Sequence, residues 1–273
     1  MKQSFVSVVL PTHNRIETLR HSLESVLAQT YSPIEIVLVD DYSNLEIKRK
    51  IEELAQEDAR IRIVRNEENI GFVRSLNKGI REARGKYIAR LDDDDSWCDP
   101  KKLEKQVAFM EQHREYVLVG GGLIRVDEDG REIVRQLFPE TDEAIRATML
   151  ITDPFVHPAV LFRKEDVQKA GGYDEKFHYS QDWELWMRLG KLGKYYNFQE
   201  YFVRYLQSSQ NRSNKNMRHH LWLAIVARKR YKDRFPNFWK GYMLGWLSYL
   251  FSFIPIRYRV SPFFTKTKRL FFK

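Results

Sequence analysis

The chain has 273 residues and predicts an α/β fold: a doubly wound, mostly parallel sheet, continued by an α+β half and ended by a basic, aromatic helical tail. Three observations predict it. Over the first 120 residues, apolar β-branched runs alternate with helix-periodic segments in a β-α-β-α-β-α-β order, the pattern of parallel strands joined by crossover helices. After residue 120 the rhythm breaks into hairpin and helix patterns with no Pro/Gly/Ser linker, so the second half folds against the first. The charge then changes sign. Residues 1–211 carry 31 Lys and Arg against 36 Asp and Glu, whereas residues 212–273 carry 15 against one acid, Asp233.

The elements follow in order. Residues 5–10 (FVSVVL) are a buried strand ended by Pro11. Ile16, Leu19, Leu23, Val26 and Leu27 recur at helical spacing, with Asn14 placed to cap the start. Residues 34–39 (IEIVLV) are a second strand leading into Asp40-Asp41, and 47–59 a charged surface helix. Residues 60–65 form a third strand, 72–84 a helix closed by Gly85, and 86–91 (KYIARL) a fourth strand running into four aspartates. A helix over 100–113 and a strand over 116–119 complete this half. Beyond it come a hairpin at 123–137 around Asp129-Gly130, a helix at 141–150, a short strand at 159–162, a Trp-rich helix at 181–192 and a strand at 195–205.

Hydrophobic residues at 43% and charged residues at 30% describe a folded globule rather than a disordered chain. The single cysteine, Cys98, excludes a disulfide framework and a cysteine-based zinc site, and fits a reducing compartment. The first fifteen residues hold no small-residue cleavage pattern and read as a strand rather than a signal peptide.

In doubly wound sheets, ligands bind outside the carboxyl ends of the strands. Three polar groups fall there: Pro11 to Arg15, Asp40-Asp41, and Asp92 to Asp95. Four adjacent carboxylates repel one another, and a hard divalent cation relieves that repulsion. Asp92 and Asp94, at D-x-D spacing, are therefore candidate ligands for Mg²⁺ or Mn²⁺, the alternative being a solvated acidic turn with Asp95 as a helix cap. Asp40 is a candidate for a ribose hydroxyl or a base N–H, or else an ordinary strand end. In SQDWELWMRL (180–189), either Asp182 or Glu184 is a candidate general base, or simply an acid suited to a helix start capped by Ser180. His157 is a lone histidine before a proline, with a structural role as the simpler reading.

The stretches VSVVLPTHNR, VDDYS, GFVRSLNKGIREARGKYIARLDDDDSWCDPKKLEKQ, VLFRKEDVQKAGGYDE and SQDWELWMRL together resemble a family 2 glycosyltransferase of the GT-A fold, from about residue 5 to about 205. The resemblance implies inverting transfer from a nucleotide-diphosphate sugar, usually with Mg²⁺ or Mn²⁺. It places Asp92 and Asp93 toward the ribose and diphosphate and Asp94 on the metal. It places Asp40 at the base, usually uracil, and Pro11, Thr12, Asn14 and Arg15 in the loop around the nucleotide. Asp182 matches the general base. With the charge reversal marking off the tail (212–273), the chain divides further into a nucleotide-sugar half (1–120) and an acceptor and catalytic-base half (121–211). Leu76 stands before Asn77 where the family often has Arg, and Gln207 stands where many members have a metal- or diphosphate-binding His. The Q-x-x-R-W element of processive synthases is absent. The residues that choose the sugar and its acceptor are expected within about 120–180 and 205–215.

The tail contains sixteen uncharged residues (241–256), short of the roughly 20 that span a bilayer. Trp239, Trp246, Tyr249 and Phe251 supply interfacial aromatics, and Lys240, Arg257, Arg259, Lys266, Lys268, Arg269 and Lys273 surround the run. The tail therefore reads as an anchor to an anionic membrane surface, or as a hairpin packed on the core or on a second subunit in a homo-oligomer. The implied setting is the cytoplasmic face of a membrane, with a saccharide or lipid-linked acceptor of surface-polysaccharide assembly. A sugar-nucleotide pyrophosphorylase would carry a G-G-x-G-x-R-L loop where this chain has PTHNR. A nucleic-acid binder is disfavoured by the acidic front half.

Overall fold

A computed structural model of the chain describes residues 3–208 and 216–254. Its core is one nine-stranded sheet in the order β3-β2-β1-β4-β8-β6-β9-β5, with β7 paired to β6. The strands are β1 (Val6–Thr12), β2 (Ile34–Asp40), β3 (Ile61–Arg65), β4 (Tyr87–Arg90), β5 (Ser96–Trp97), β6 (Tyr116–Val126), β7 (Glu132–Gln136), β8 (Leu161–Arg163) and β9 (Lys194–Leu206). The first four pair in parallel, as their unbroken apolar runs predict, since both faces are covered. Every residue of β1 and β2 is buried. Thr12 pairs with Asp40, and Asp40 with Arg65, so these strands end level. That alignment collects the polar loops on one edge.

The helices are α1 (Ile16–Leu27), α2 (Leu45–Glu57), α3 (Phe72–Glu82), α4 (Lys102–Gln112), α5 (Asp142–Thr148), α6 (Lys164–Lys169), α7 (Gln181–Leu189), α8 (Met217–Arg230) and α9 (Phe238–Phe251). Leu19, Leu23 and Val26 of α1 pack with β1 and β2 on one face of the sheet, and α3 packs on the other. At Gly79 of α3 a Cβ would lie 2.6 Å from Val9 Cγ1 and 3.0 Å from Val39 Cγ2, so the absent side chain sets the helix–sheet distance.

The same sheet continues through antiparallel β8 into the second half, where β6 and β9 run parallel. The mostly parallel arrangement thus belongs to the first four strands, and the continuation is mixed. The strand at 116–119 and the first arm of the hairpin are a single element, β6. At Gly120, Gly121 and Gly122 neighbouring atoms fill the places a Cβ would take, and the register of β6 with β9 shifts there. The strand also pairs with β7, with Leu123 opposite Gln136. The short strand expected at 159–162 begins later, because His157–Ala159 is a 3-10 turn.

Three local expectations are corrected. Asn14 does not cap α1: it has φ 56° and its Oδ1 accepts the Asn44 N–H at 2.8 Å, tying the β1 and β2 loops together. Gly85 is not a left-handed helix cap. It lies against Ser7, whose hydroxyl accepts the Gly85 N–H at 2.8 Å, where a Cβ would collide. Ser180 does not cap α7 either: it takes φ 55° and its hydroxyl is buried without a partner.

The tail is helical, as expected, but its first helix is no appendage. Leu223, Ala224, Ala227 and Tyr231, followed by Phe235, belong to the same apolar core as α3 and α7. Helix α9 packs on α8, and at Gly241 it lies so close to the Leu150 carbonyl that no Cβ would fit. Among the described residues, no helix is long and apolar enough to cross a membrane. The basic residues Arg257, Arg259, Lys266, Lys268, Arg269 and Lys273 lie outside the described residues.

Candidate active site

A cavity of about 850 Å³ opens along the carboxyl edge of the parallel strands. Of the residues singled out from the sequence, Pro11, Thr12, Arg15, Asp92, Asp93, Asp94 and Asp182 all line it. Asn14 and Asp40 do not.

The acidic run is sorted by its partners. Asp92 pairs with Arg90, a guanidinium that is 1% exposed at the end of β4. Arg15 reaches Asp94 Oδ2 at 2.7 Å and Asp93 Oδ1 at 3.3 Å, and the Thr12 hydroxyl donates to Asp93 Oδ2 at 2.8 Å. Asp95 faces away. Its Oδ1 accepts the Leu206 N–H at 2.9 Å and its carbonyl accepts the Ser22 hydroxyl at 2.6 Å, so it latches the loop to β9 and α1 instead of capping a helix. Burial, then repulsion from Asp94, pushes Asp93 up to about 7 against the pull of Arg15 and Thr12. Burial and neighbouring acids raise Asp94 and Asp95 in the same direction. Two positive side chains thus offset the cluster only in part.

Of the two acids that follow one another at the end of β2, Asp41 lines the cavity and Asp40 does not. Asp40 is fully buried and its Oδ1 accepts the Ser43 N–H at 2.9 Å, closing the turn in which Tyr42 has φ 64°. Asp41 reaches the cavity, where its carboxylate accepts the Ile70 and Gly71 N–H groups, each at 2.9 Å, and the Asn66 amide at 2.8 Å. It fixes the loop that opens α3.

On the second half's side, Asp182 begins α7 and its Oδ1 accepts the Trp183 N–H at 2.8 Å. Its other oxygen lies 3.9 Å from His157 Nδ1. His157 Nε2 is hydrogen-bonded to the Tyr173 hydroxyl at 2.7 Å. The 3-10 turn carrying His157 is held by the Trp97 indole N–H on the Pro158 carbonyl and by the Gln106 amide on Ala159. Asn77 grips the backbone of Tyr173 at both N–H and carbonyl, and Leu76 beside it is core. Burial, reinforced by Arg90, holds the imidazole well below the usual histidine range, so it is neutral. Burial raises Asp182, and burial together with the Asp182 charge raises Asp153, which lines the same cavity. Glu184 is not part of this group. It is fully buried behind α7 among Arg188, Arg230 and the Tyr231 hydroxyl.

Asp153, Arg125, His178, His220 and Arg228 also line the cavity, and no motif pointed to them. In the stretch DPFVHP, an acid four residues before His157 is the local signal for Asp153. Gln207 is exposed and does not line the cavity.

Among the described residues, no three His, Cys, Asp or Glu side chains are grouped to hold a metal. Asp92 and Asp94 are oxygen donors only. A pair of carboxylates completed by water and phosphate oxygens fits the habit of Mg²⁺ and Mn²⁺, and the repulsion left in the cluster fits a cation there.

Residues 7–171 match the family model for glycosyl transferase family 2. The chain is a family 2 glycosyltransferase. An uncharacterised glycosyltransferase of Methanocaldococcus jannaschii is 33% identical over 92% of this chain and 89% of its own length. The amylovoran biosynthesis glycosyltransferase AmsE of Erwinia amylovora is 36% identical over 68% of this chain and 70% of its own. Among solved structures, S. aureus TarS 1–349 in complex with UDP-GlcNAc superposes with a TM-score of 0.69 at 18% identity, covering 91% of this glycosyltransferase and 73% of that chain. The mannosyltransferase PcManGT of Pyrobaculum calidifontis, with GDP-Man and Mn²⁺, gives 0.66 at 16%, covering 92% and 70%. These likenesses place the glycosyltransferase in the GT-A fold, and family membership sets the pyrophosphorylase reading aside.

Proposed function

We propose that this glycosyltransferase moves a sugar from a nucleotide-diphosphate sugar, by preference uridine-linked, to a hydroxyl of a saccharide or lipid-linked acceptor, with inversion. The observation that carries the reading is that Asp92, Asp93 and Asp94 share one cavity with Asp182. Its size suits a small-molecule site. TarS, solved with UDP-GlcNAc, and PcManGT, solved with GDP-Man and Mn²⁺, support a nucleotide-sugar donor and a divalent ion. The names of AmsE and of the O-antigen biosynthesis enzyme WbnJ of Escherichia coli support a place in polysaccharide assembly, which for a lipid-linked acceptor means the cytoplasmic face of a membrane.

Pro11, Thr12 and Arg15 wrap the nucleotide, with the loop held from behind by Asn14. Arg15 already bridges two acids and offers a charged donor to the diphosphate. Asp41, in place of Asp40, is the acid within reach of the base or ribose. Asp92 and Asp94 would hold Mg²⁺ or Mn²⁺, which when bound offsets the charge that gathers on the departing nucleoside diphosphate. Asp182 takes the proton of the acceptor hydroxyl as its oxygen bonds to the anomeric carbon and the bond to the diphosphate oxygen breaks. One base and no carboxylate nucleophile give a single displacement, hence inversion. His157, held by Tyr173, faces the second oxygen of Asp182 from 3.9 Å.

Two variants test the reading together. Asp94→Ala removes the Mn²⁺-dependent part of UDP-sugar binding in calorimetry. Asp182→Asn leaves that binding intact and lowers transfer by at least ~10²-fold. Metal-dependent binding that survives Asp94→Ala, or near-normal turnover by Asp182→Asn, overturns the corresponding assignment.

A further inference from the structure

Helix α9 is inside out for a helix on a soluble domain. Its buried residues are small: Gly241 against the Leu150 carbonyl, Gly245 against Ile225 and Arg228, with Ser252 just past its end. Its large apolar residues point outward, with Trp239 71%, Met243 61%, Leu247 50% and Leu250 59% exposed. At 3.6 residues per turn these four fall within about 80° of arc, opposite the glycines. Phe253, 51% exposed and under the Arg218 guanidinium at 4.4 Å, extends the stripe. An amphipathic helix on a soluble protein buries its large apolar face, and a contiguous exposed one marks a contact surface.

We propose that this outer face of α9 docks on an anionic lipid surface. Charge selects the occupant. Lys229, Lys232, Arg234 and Lys240 are exposed on or beside the hairpin, with Asp233 the lone acid. Further along the chain, residues 255–273 add six Lys or Arg and no acid. Cations around an apolar, aromatic face match lipid headgroups over acyl chains. A second copy would bring like charge against like.

The hairpin also ties the surface to the cavity. Arg228 and His220 of α8 line the cavity, and Arg228 donates to the Leu150 and Ile151 carbonyls beside the contact with Gly241. Docking through α9 therefore holds the acceptor side of the cavity by the bilayer. Only this last step rests on the lipid-linked acceptor proposed above.

The test uses the full chain with vesicles of phosphatidylcholine, with and without phosphatidylglycerol, in a sedimentation assay. The native chain is expected to sediment with the anionic vesicles, and less so in high salt. Trp239→Glu with Leu247→Glu lowers vesicle affinity by at least about tenfold, with UDP-sugar binding and melting temperature unchanged. Met243→Glu with Leu250→Glu serves as a second variant should the first fail to fold. Undiminished binding by a folded variant overturns the proposal, as does a native chain that ignores anionic vesicles. A dimer that the variant dissociates, in a chain that ignores vesicles, assigns the face to a second copy instead. Loss of vesicle binding with donor binding retained leaves the glycosyltransferase reading intact, and loss of donor binding in the native chain alone would count against that reading.

Discussion

Asp93 is nearly buried, and its partners are Arg15 and the Thr12 hydroxyl. Its folded pKa, pushed up to about 7, lies above the roughly 3.9 of a free Asp. A raised acid stabilises the fold while it keeps its proton. That contribution is complete below the unfolded value and is lost as pH rises through about 7. Asp94 and Asp95 are raised as well and act in the same direction. The metal-free chain should therefore melt lower at pH 8 than at pH 5. Asp93→Asn cannot ionise, so it should raise the melting temperature at pH 8, by about 2–4 °C per kcal/mol for a chain of this size, with a smaller gain at pH 5. Thermal unfolding at the two pH values decides it, and a variant that melts lower at pH 8 contradicts the burial argument.

At the scale of elements, the site depends on how closely α3 lies on the sheet. Gly79 brings it against Val9 and Val39, and Gly71 at φ 85° starts it where Asp41 can take two N–H groups. Asn77, on the same helix, carries the Tyr173 turn and through it His157. A methyl at position 79 meets stiff β-branched side chains, so it must lift the helix. Gly79→Ala is predicted to cost about 1–3 kcal/mol, as overpacking does. It should also weaken UDP-sugar binding through displacement of the Asp41 loop. Unfolding curves and calorimetry on the one variant check both effects. The same positions show how much was legible locally. The strands, helices and strand-end loops follow from periods of 2 and 3.6 and from turn residues. Gly85 and Asn14 look like caps in the sequence because their actual partners, Ser7 and Asn44, lie 78 and 30 residues away.

For the whole molecule, the boundary in charge is not the boundary in packing. Charge changes sign at about residue 212, yet α8 completes the core with Leu223, Ala227 and Tyr231 and the cavity with Arg228. Burying side chains as large as Leu223 and Tyr231 contributes about 1.5–3 kcal/mol each, a large share of a domain's net stability. A chain ending at residue 208 is therefore expected to lose cooperative unfolding and UDP-sugar binding. One ending at residue 237 is expected to keep both, because only the glycines of α9 are fully buried. Circular dichroism melts and calorimetry on the two truncations distinguish them, and a folded, binding-competent chain ending at 208 would show that α8 is dispensable.

Local order by itself determined the parallel strands, the loops at their ends, the acidic run after β4 and an acid opening a helix in the second half. Each is written in neighbouring residues, because a buried face repeats with the period of its element. Tertiary structure alone decided which acid of each pair turns inward. Asp41 rather than Asp40 lines the cavity because the turn at Tyr42 reverses the chain, and Glu184 is claimed by Arg188, Arg230 and Tyr231 on the far side of α7. Only packing brought Asp153 and His157 to Asp182, paired β6 with β9, and turned the glycines of α9 inward. These outcomes rest on contacts between residues tens of positions apart, whose energies depend on shape and distance and leave no period in the chain.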